Sequence, residues 1–313
     1  MTKPASGGDL PPPEDDGRLL SADAGSHQDA YGPAEWGLVV TTSLIWGASF
    51  LLIAVSLEAF SPGVIAFLRV VLGAATLALF SRARRVIERR DRARIVFVGI
   101  IGIAMPAYLF AVAEQSVDSA VAGMLVSGVP IVSAAIFALV TKRLPGPRQR
   151  LGLLVGFVGI FMLALPELRG AQAAPLGVAL VLLAVAGYGA SNNVYVPIGR
   201  KYGALAVQLW SQVVALVVLL PAGLLGWSDS TFAVKPAMAL LALGVLGTGI
   251  ARAAHVELVT RVGPARGTIS AYIIPVVALV LGVVLLNDEV APLQISGVAV
   301  ALLGGWLISR KAH

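Results

Sequence analysis

From Trp36 onward, long apolar runs alternate with short polar connections. Ten runs read as membrane spans: about 36–55, 62–80, 95–113, 119–140, 151–166, 176–197, 203–226, 237–258, 267–286 and 292–309. Most approach the ~20 residues that carry a helix across a bilayer. Helices are expected because backbone polar groups in lipid must pair within their own segment. Barrel strands would instead alternate apolar and polar positions over about ten residues. Residues 1–34 break the pattern. They hold Pro11, Pro12, Pro13, Glu14, Asp15 and Asp16 and no apolar run, so a disordered tail is expected. No basic stretch leads into an apolar one there, so the tail does not read as a secretory signal.

The polar connections are unequal in charge. Arg82, Arg84, Arg85, Arg89, Arg90, Arg92 and Arg94 fill the second. Lys142, Arg143, Arg148 and Arg150 fall in the fourth, Arg200 and Lys201 in the sixth, Arg261 and Arg266 in the eighth. The odd connections hold only Arg169 and Lys235. The positive-inside rule then puts the even connections and both termini in the cytoplasm. Membrane topology thus accounts for the net charge of +6, and no nucleic-acid partner is expected.

Composition narrows the chemistry. Of 313 residues, 58% are hydrophobic and 13% charged, against about 25% charged in a soluble domain. Little chain is left for an extramembrane catalytic domain. The absence of Cys removes thiolate chemistry, and His27, His255 and His313 are too scattered for a His-rich metal site. There is no Gly-x-x-x-x-Gly-Lys-Ser/Thr phosphate loop to use ATP. No enzyme activity, catalytic residue, metal or cofactor is expected.

The chain aligns with itself. Trp46-Gly47-Ala48-Ser49 matches Tyr188-Gly189-Ala190-Ser191 at an offset of 142. At an offset of 145, Gly99 and Gly102 match Gly244 and Gly247, Pro130 matches Pro275, Gly152 matches Gly297, and Gly159 matches Gly304. Five spans per half is an odd number, so the second half should enter from the opposite side. The expected architecture is all-α: ten transmembrane helices in two inverted five-helix repeats, 35–167 and 175–309. Such repeats place a substrate site near the midplane between them.

These features resemble the ten-helix, EamA-type branch of the drug/metabolite transporter superfamily over roughly residues 36–309. The resemblance is carried by Leu44-Ile45-Trp46-Gly47-Ala48-Ser49-Phe50, Phe67-Leu68-Arg69, Pro130 and Lys142-Arg143-Leu144. In the second half it is carried by Pro275, Asn287-Asp288-Glu289 and Gln294-Ile295-Ser296-Gly297. Family members commonly close the fourth helix of each repeat with Gly-Glu-Arg-like residues. Here those ends read Thr141-Lys142-Arg143 and Asn287-Asp288-Glu289. The resemblance implies export of amino acids or related metabolites from the bacterial cytoplasm by alternating access.

Candidate pathway residues lie on helical stripes. Trp46, Ser49, Phe50 and Ile53 share one face of the first span. Tyr188, Ser191, Asn192 and Tyr195 share the matching face of the sixth. The ninth presents Thr268, Tyr272 and Pro275, and the third Met105, Tyr108 and Gln115. Mid-membrane Trp, Tyr and Asn need hydrogen-bond partners, so these faces should point inward. Arg252 shares a stripe with Thr248 and His255. The expected pathway is therefore Trp46, Ser49, Phe50, Tyr108, Tyr188, Asn192, Tyr195, Arg252, His255 and Tyr272. A central Arg is costly in lipid and should face protein or water. Arg69 reads as a structural charge, and Pro130 and Pro275 as paired gate or hinge positions. Gly152 and Gly156, with Gly297, Ala301 and Gly305, form small-residue stripes that favour packing within the chain over dimerisation. A single copy in the bilayer is the working expectation.

Glu114 and Glu257 sit toward span ends, so no deeply placed carboxylate is evident to exchange a proton for a cation. A zwitterionic or neutral solute is expected. Export of hydrophobic drugs is the alternative. A lipid-modifying intramembrane enzyme is remote, because it would need clustered acids or metal ligands.

Overall fold

The computed structural model describes residues 31–117, 119–142, 144–170, 174–281 and 291–309. Residues 1–30 of the expected tail, Arg143 and the Asn287-Asp288-Glu289 segment lie outside the described residues. Among the described residues every regular element is helical. In chain order these are α1 (Pro33–Leu57), α2 (Pro62–Ala78), α3 (Arg89–Ala113), α4 (Val121–Thr141) and α5 (Pro147–Gly170), then α6 (Pro175–Tyr202), α7 (Ala204–Leu225), α8 (Val234–Val262), α9 (Ser270–Leu281) and α10 (Pro292–Ser309).

By length and composition α1, α3, α4, α6, α7 and α8 can each cross a membrane, and α2, α9 and α10 are shorter apolar helices. Leu79, Leu139, Val217 and Leu225 leave more than two thirds of their surface uncovered. Lipid is the solvent that removes this cost, because the hydrophobic penalty scales with apolar area left in water.

Local sequence sets the helix ends. Pro33, Pro62, Pro147, Pro175 and Pro292 each open a helix, where a missing N–H costs nothing. Ser61 caps α2 by accepting from the Val64 N–H. Gly203 and Gly263 end α6 and α8 at φ of +83° and +90°, a region that side chains disfavour.

Two helices carry π-type stretches, Val98–Ala104 in α3 and Leu243–Ile250 in α8. They occupy matching positions in the two halves at the 145-residue offset. Each contains the paired glycines seen in the sequence, Gly99 and Gly102 or Gly244 and Gly247. A π stretch inserts extra residues into the turn and rotates everything after it.

The halves interleave. α1 packs on α8 and α9, and reciprocally α6 packs on α3 and α4. α2 packs on α7, and each of them lies on the π stretch of the opposite half. The reciprocity reaches single residues. A Cβ on Gly247 would meet Ser49 Oγ at 3.0 Å, and a Cβ on Gly102 would collide with Ser191 Oγ. Ser49 and Ser191 are themselves equivalent at the 142-residue offset. Glycine at both π stretches thus lets the first helix of each half approach the third helix of the other.

α5 and α10 pair along their length. Cβ atoms on Gly159 and Gly304 would overlap the backbones of Ala301 and Gly156. Gly152, Gly156, Gly159, Ala301 and Gly304 meet in this seam, while Gly305 faces Ile269.

Candidate functional site

A cleft lined by α1, α2, α3, α4, α6, α8 and α9 lies where the halves meet, with about 720 Å³ of atom-free space counting its mouth. Only about 60 Å³ of it is room that a water-sized body can occupy, so the cleft is narrow in this conformer. Eight of the ten expected pathway residues line it: Trp46, Ser49, Phe50, Tyr188, Asn192, Tyr195, Arg252 and His255.

Its polar wall is a chain of hydrogen bonds between helices. Trp46 Nε1 donates to the Gly247 carbonyl at 3.0 Å, tying α1 to the π stretch of α8. The Trp46 ring lies 5.0 Å from that of His255. His255 Nε2 is 2.9 Å from Asn192 Oδ1, and Asn192 Nδ2 donates to Ser133 Oγ at 3.1 Å. One amide N–H is therefore spent on Ser133, and the amide oxygen faces the imidazole. His255 Nε2 then carries the proton, which leaves Nδ1 as an acceptor. Nδ1 is buried and has no partner. The Tyr195 hydroxyl is likewise buried without one.

The apolar wall is aromatic. Phe50 and Phe110 meet edge-on at 5.7 Å, and Phe110 stacks on Tyr188 at 5.9 Å. The Arg252 guanidinium lies over the other end of this row, 5.1 Å from the Tyr188 ring centre.

Arg69 also lines the cleft. Its Nε donates to Thr248 Oγ1 at 3.1 Å, so it holds α2 to the π stretch of α8 and presents the rest of its guanidinium inward. Gln212 Nε2, from α7, donates to the Thr248 carbonyl at 2.8 Å. Among the described residues neither Arg69 nor Arg252 makes an ion pair.

Tyr108 and Tyr272 fall elsewhere. Tyr108 is 39% exposed and absent from the cleft, which Phe110 lines instead. Tyr272 is fully buried, donates to the Leu153 carbonyl at 3.2 Å, and packs against Gly156 of α5. The stripe Thr268, Tyr272, Pro275 assumed one continuous helix. In the structure α9 starts at Ser270, and Thr268 belongs to the turns before it. Thr268, Ser270, Ala271 and Ile274 face the cleft in its place. Pro130 follows a 3₁₀ turn at Val126–Gly128 inside α4, and Pro275 lies within α9. Ser127 Oγ donates to the Ala271 carbonyl at 2.8 Å and joins these two helices.

Ion pairs stand at opposite ends of the bundle. Lys201, at the end of α6, reaches Asp91 Oδ2 at 2.7 Å and Glu88 Oε2 at 2.8 Å, at the start of α3. The Tyr202 hydroxyl donates to Asp91 Oδ2 at 2.6 Å, and Arg94 holds Asp91 Oδ1 at 2.7 Å. Asp91 is 1% exposed. At the other end Lys235, at the start of α8, lies 3.0 Å from Glu58, which follows α1. Both partners of that pair are largely exposed. Glu58, Glu114 and Asp229 share a second cleft at this end. Ser119 Oγ donates to one Glu114 carboxylate oxygen at 2.9 Å, while the other is buried and unpartnered.

A family model described as the EamA-like transporter family matches residues 36–165 and 175–310. An uncharacterized transporter of Bacillus subtilis, YdfC, is 26% identical over 83% of this chain and 86% of its own length. An uncharacterized inner membrane transporter of Escherichia coli K12, YedA, is 27% identical over 88% and 93%. A probable terminal-alkyne amino-acid exporter of Streptantibioticus cattleyicolor is 29% identical over 89% and 94%. A solved crystal structure superposes with a TM-score of 0.71 at 17% identity, covering 88% of this chain and 96% of the other, and shares the fold.

Proposed function

Because the chain belongs to the EamA-like transporter family and is a multi-pass membrane protein, we propose that it exports amino acids or related small metabolites across a bacterial inner membrane by alternating access. The observation that carries this reading is the cleft itself. Unpartnered polar groups and an aromatic row, drawn from both halves, face one space between them.

Reciprocal packing of α1 and α6 supports two five-helix repeats threaded in opposite senses. Ten crossings, with both termini and the Arg-rich connections in the cytoplasm, follow from the charge asymmetry. The Lys201–Asp91 cluster then closes the cytoplasmic end, and the Glu58–Lys235 pair the outer end. Exposed pairs contribute about 0–1 kcal/mol, so the outer closure is the weaker. Pro130 and Pro275, in equivalent helices joined by Ser127, are the hinge positions about which the two ends exchange.

The test is uptake of labelled amino acids, aromatic and small polar, into proteoliposomes containing the purified protein. Saturable flux that falls in Trp46→Ala and Asn192→Ala supports the reading. Absence of flux for every amino acid under every gradient overturns the substrate class.

A further inference from the structure

We propose that the cleft selects organic anions: the solute's carboxylate binds Arg252 and the Tyr195 hydroxyl, its apolar body lies along Phe110 and Tyr188, and a free ammonium is disfavoured. The inference rests on the cleft being the solute pathway and narrows what passes through it.

The lining carries two guanidinium groups, Arg69 and Arg252, and no Asp or Glu. Arg252 is 5% exposed and lies over the Tyr188 ring and beside the Tyr195 hydroxyl, with no acid in the cleft lining to pair with it. A buried guanidinium without a counter-ion is expensive unless a ligand supplies one. A carboxylate suits it, because the planar fork matches two carboxylate oxygens. Tyr195 adds a buried hydroxyl beside the Arg252 and Gln208 side chains that makes no hydrogen bond of good geometry with either. Both groups are more than nine-tenths buried and both line the cleft.

The same field works against a cation. The α-ammonium of an amino acid would enter a space lined by two fixed positive charges and by no carboxylate; Glu114 acts on Arg69 from outside the lining, and nothing comparable acts on Arg252. Glu58, Glu114 and Asp229 line the separate cleft at the outer end. His255 Nδ1 can accept one hydrogen bond. A neutral donor, such as an amide N–H beside the carboxylate, satisfies it without adding charge next to Arg252.

Three compounds with one aromatic body separate the charges: N-acetyl-phenylalanine (anion), phenylalanine (zwitterion) and phenylalaninamide (cation). Binding to the purified full-length protein is measured by thermal shift, which avoids leakage of weak acids through lipid. Competition for proteoliposome flux follows. The anion should bind at least about ten-fold more tightly than the zwitterion, and the cation should not bind. Arg252→Gln should remove the preference, Arg252→Lys should retain part of it, and Tyr195→Phe should weaken the anion alone. Arg252→Lys also reports whether the site still folds. Equal or tighter binding of phenylalanine, sensitive to Trp46→Ala, overturns the anion preference and leaves the pathway standing. Failure of all three compounds to bind or move overturns both.

Discussion

Lys201, at the end of α6, lies 2.7 Å from Asp91 at the start of α3, and Lys235, at the start of α8, lies 3.0 Å from Glu58, which follows α1. The same junction, first helix of one half to third helix of the other, is thus closed at both ends with the charges reversed. One closure is a buried network and the other a single exposed pair. Asp91→Asn should therefore open the Arg-rich end. The chain has no native Cys, so Ser270→Cys gives one reporter in the cleft. Its labelling from the Arg-rich side should rise several-fold when Asp91→Asn is added. Unchanged labelling would show that the network is not a gate.

Glu88 gives that closure a pH limit. The hydrogen bond from Lys201 holds its carboxyl below the ordinary value of 4.5. A carboxyl lowered in the folded state contributes above its unfolded value and loses that contribution as pH falls through the lowered one. Labelling from the Arg-rich side should thus stay constant from neutral pH down to about 5 and rise only in stronger acid. A rise near neutrality would assign the control to another group.

Asn192 and His255 act as one unit through their 2.9 Å contact. Asn192→Ala and His255→Ala should each weaken solute binding by about 1 kcal/mol, or roughly five-fold. The double variant should lose clearly less than the sum, because both remove the same bond. Strict additivity in a double-mutant cycle would separate the two residues.

The α5–α10 seam tolerates no side chain at Gly159, where a Cβ overlaps Ala301. Gly159→Leu should lower thermal stability in detergent and reduce the folded yield. Gly146→Ala, with open space around it, should be neutral. A Gly159→Leu protein of unchanged stability but altered size on gel filtration would move the seam from the interior to an oligomer contact.

Threading is open to labelling as well. Cysteines at Arg82 and Gly146 should react from one side of the membrane, and a cysteine at Asp229 from the other. Reaction of Arg82 and Gly146 from opposite sides would break the proposed order of crossings.

Much of this protein follows from sequence alone, because lipid is a demanding solvent. Apolar runs with polar breaks dictate helices, and the matched offsets at Gly99, Gly102, Gly244 and Gly247 already marked the positions where the halves touch. The faces holding Trp46, Ser49 and Phe50, and Tyr188, Asn192 and Tyr195, obeyed simple helical periodicity because α1 and α6 are regular. Periodicity did not place Tyr108 and Tyr272, because spacing groups residues on a face but does not say which way that face turns in the bundle. Arg69 read as structural, yet it does two things, since only the folded chain shows Thr248 holding its Nε while it lines the cleft. Distant pairs such as Lys201 with Asp91 were likewise decided by tertiary structure. Sequence sets which residues a helix carries on each face, but packing sets which face meets which, and hence which charges are left for a solute.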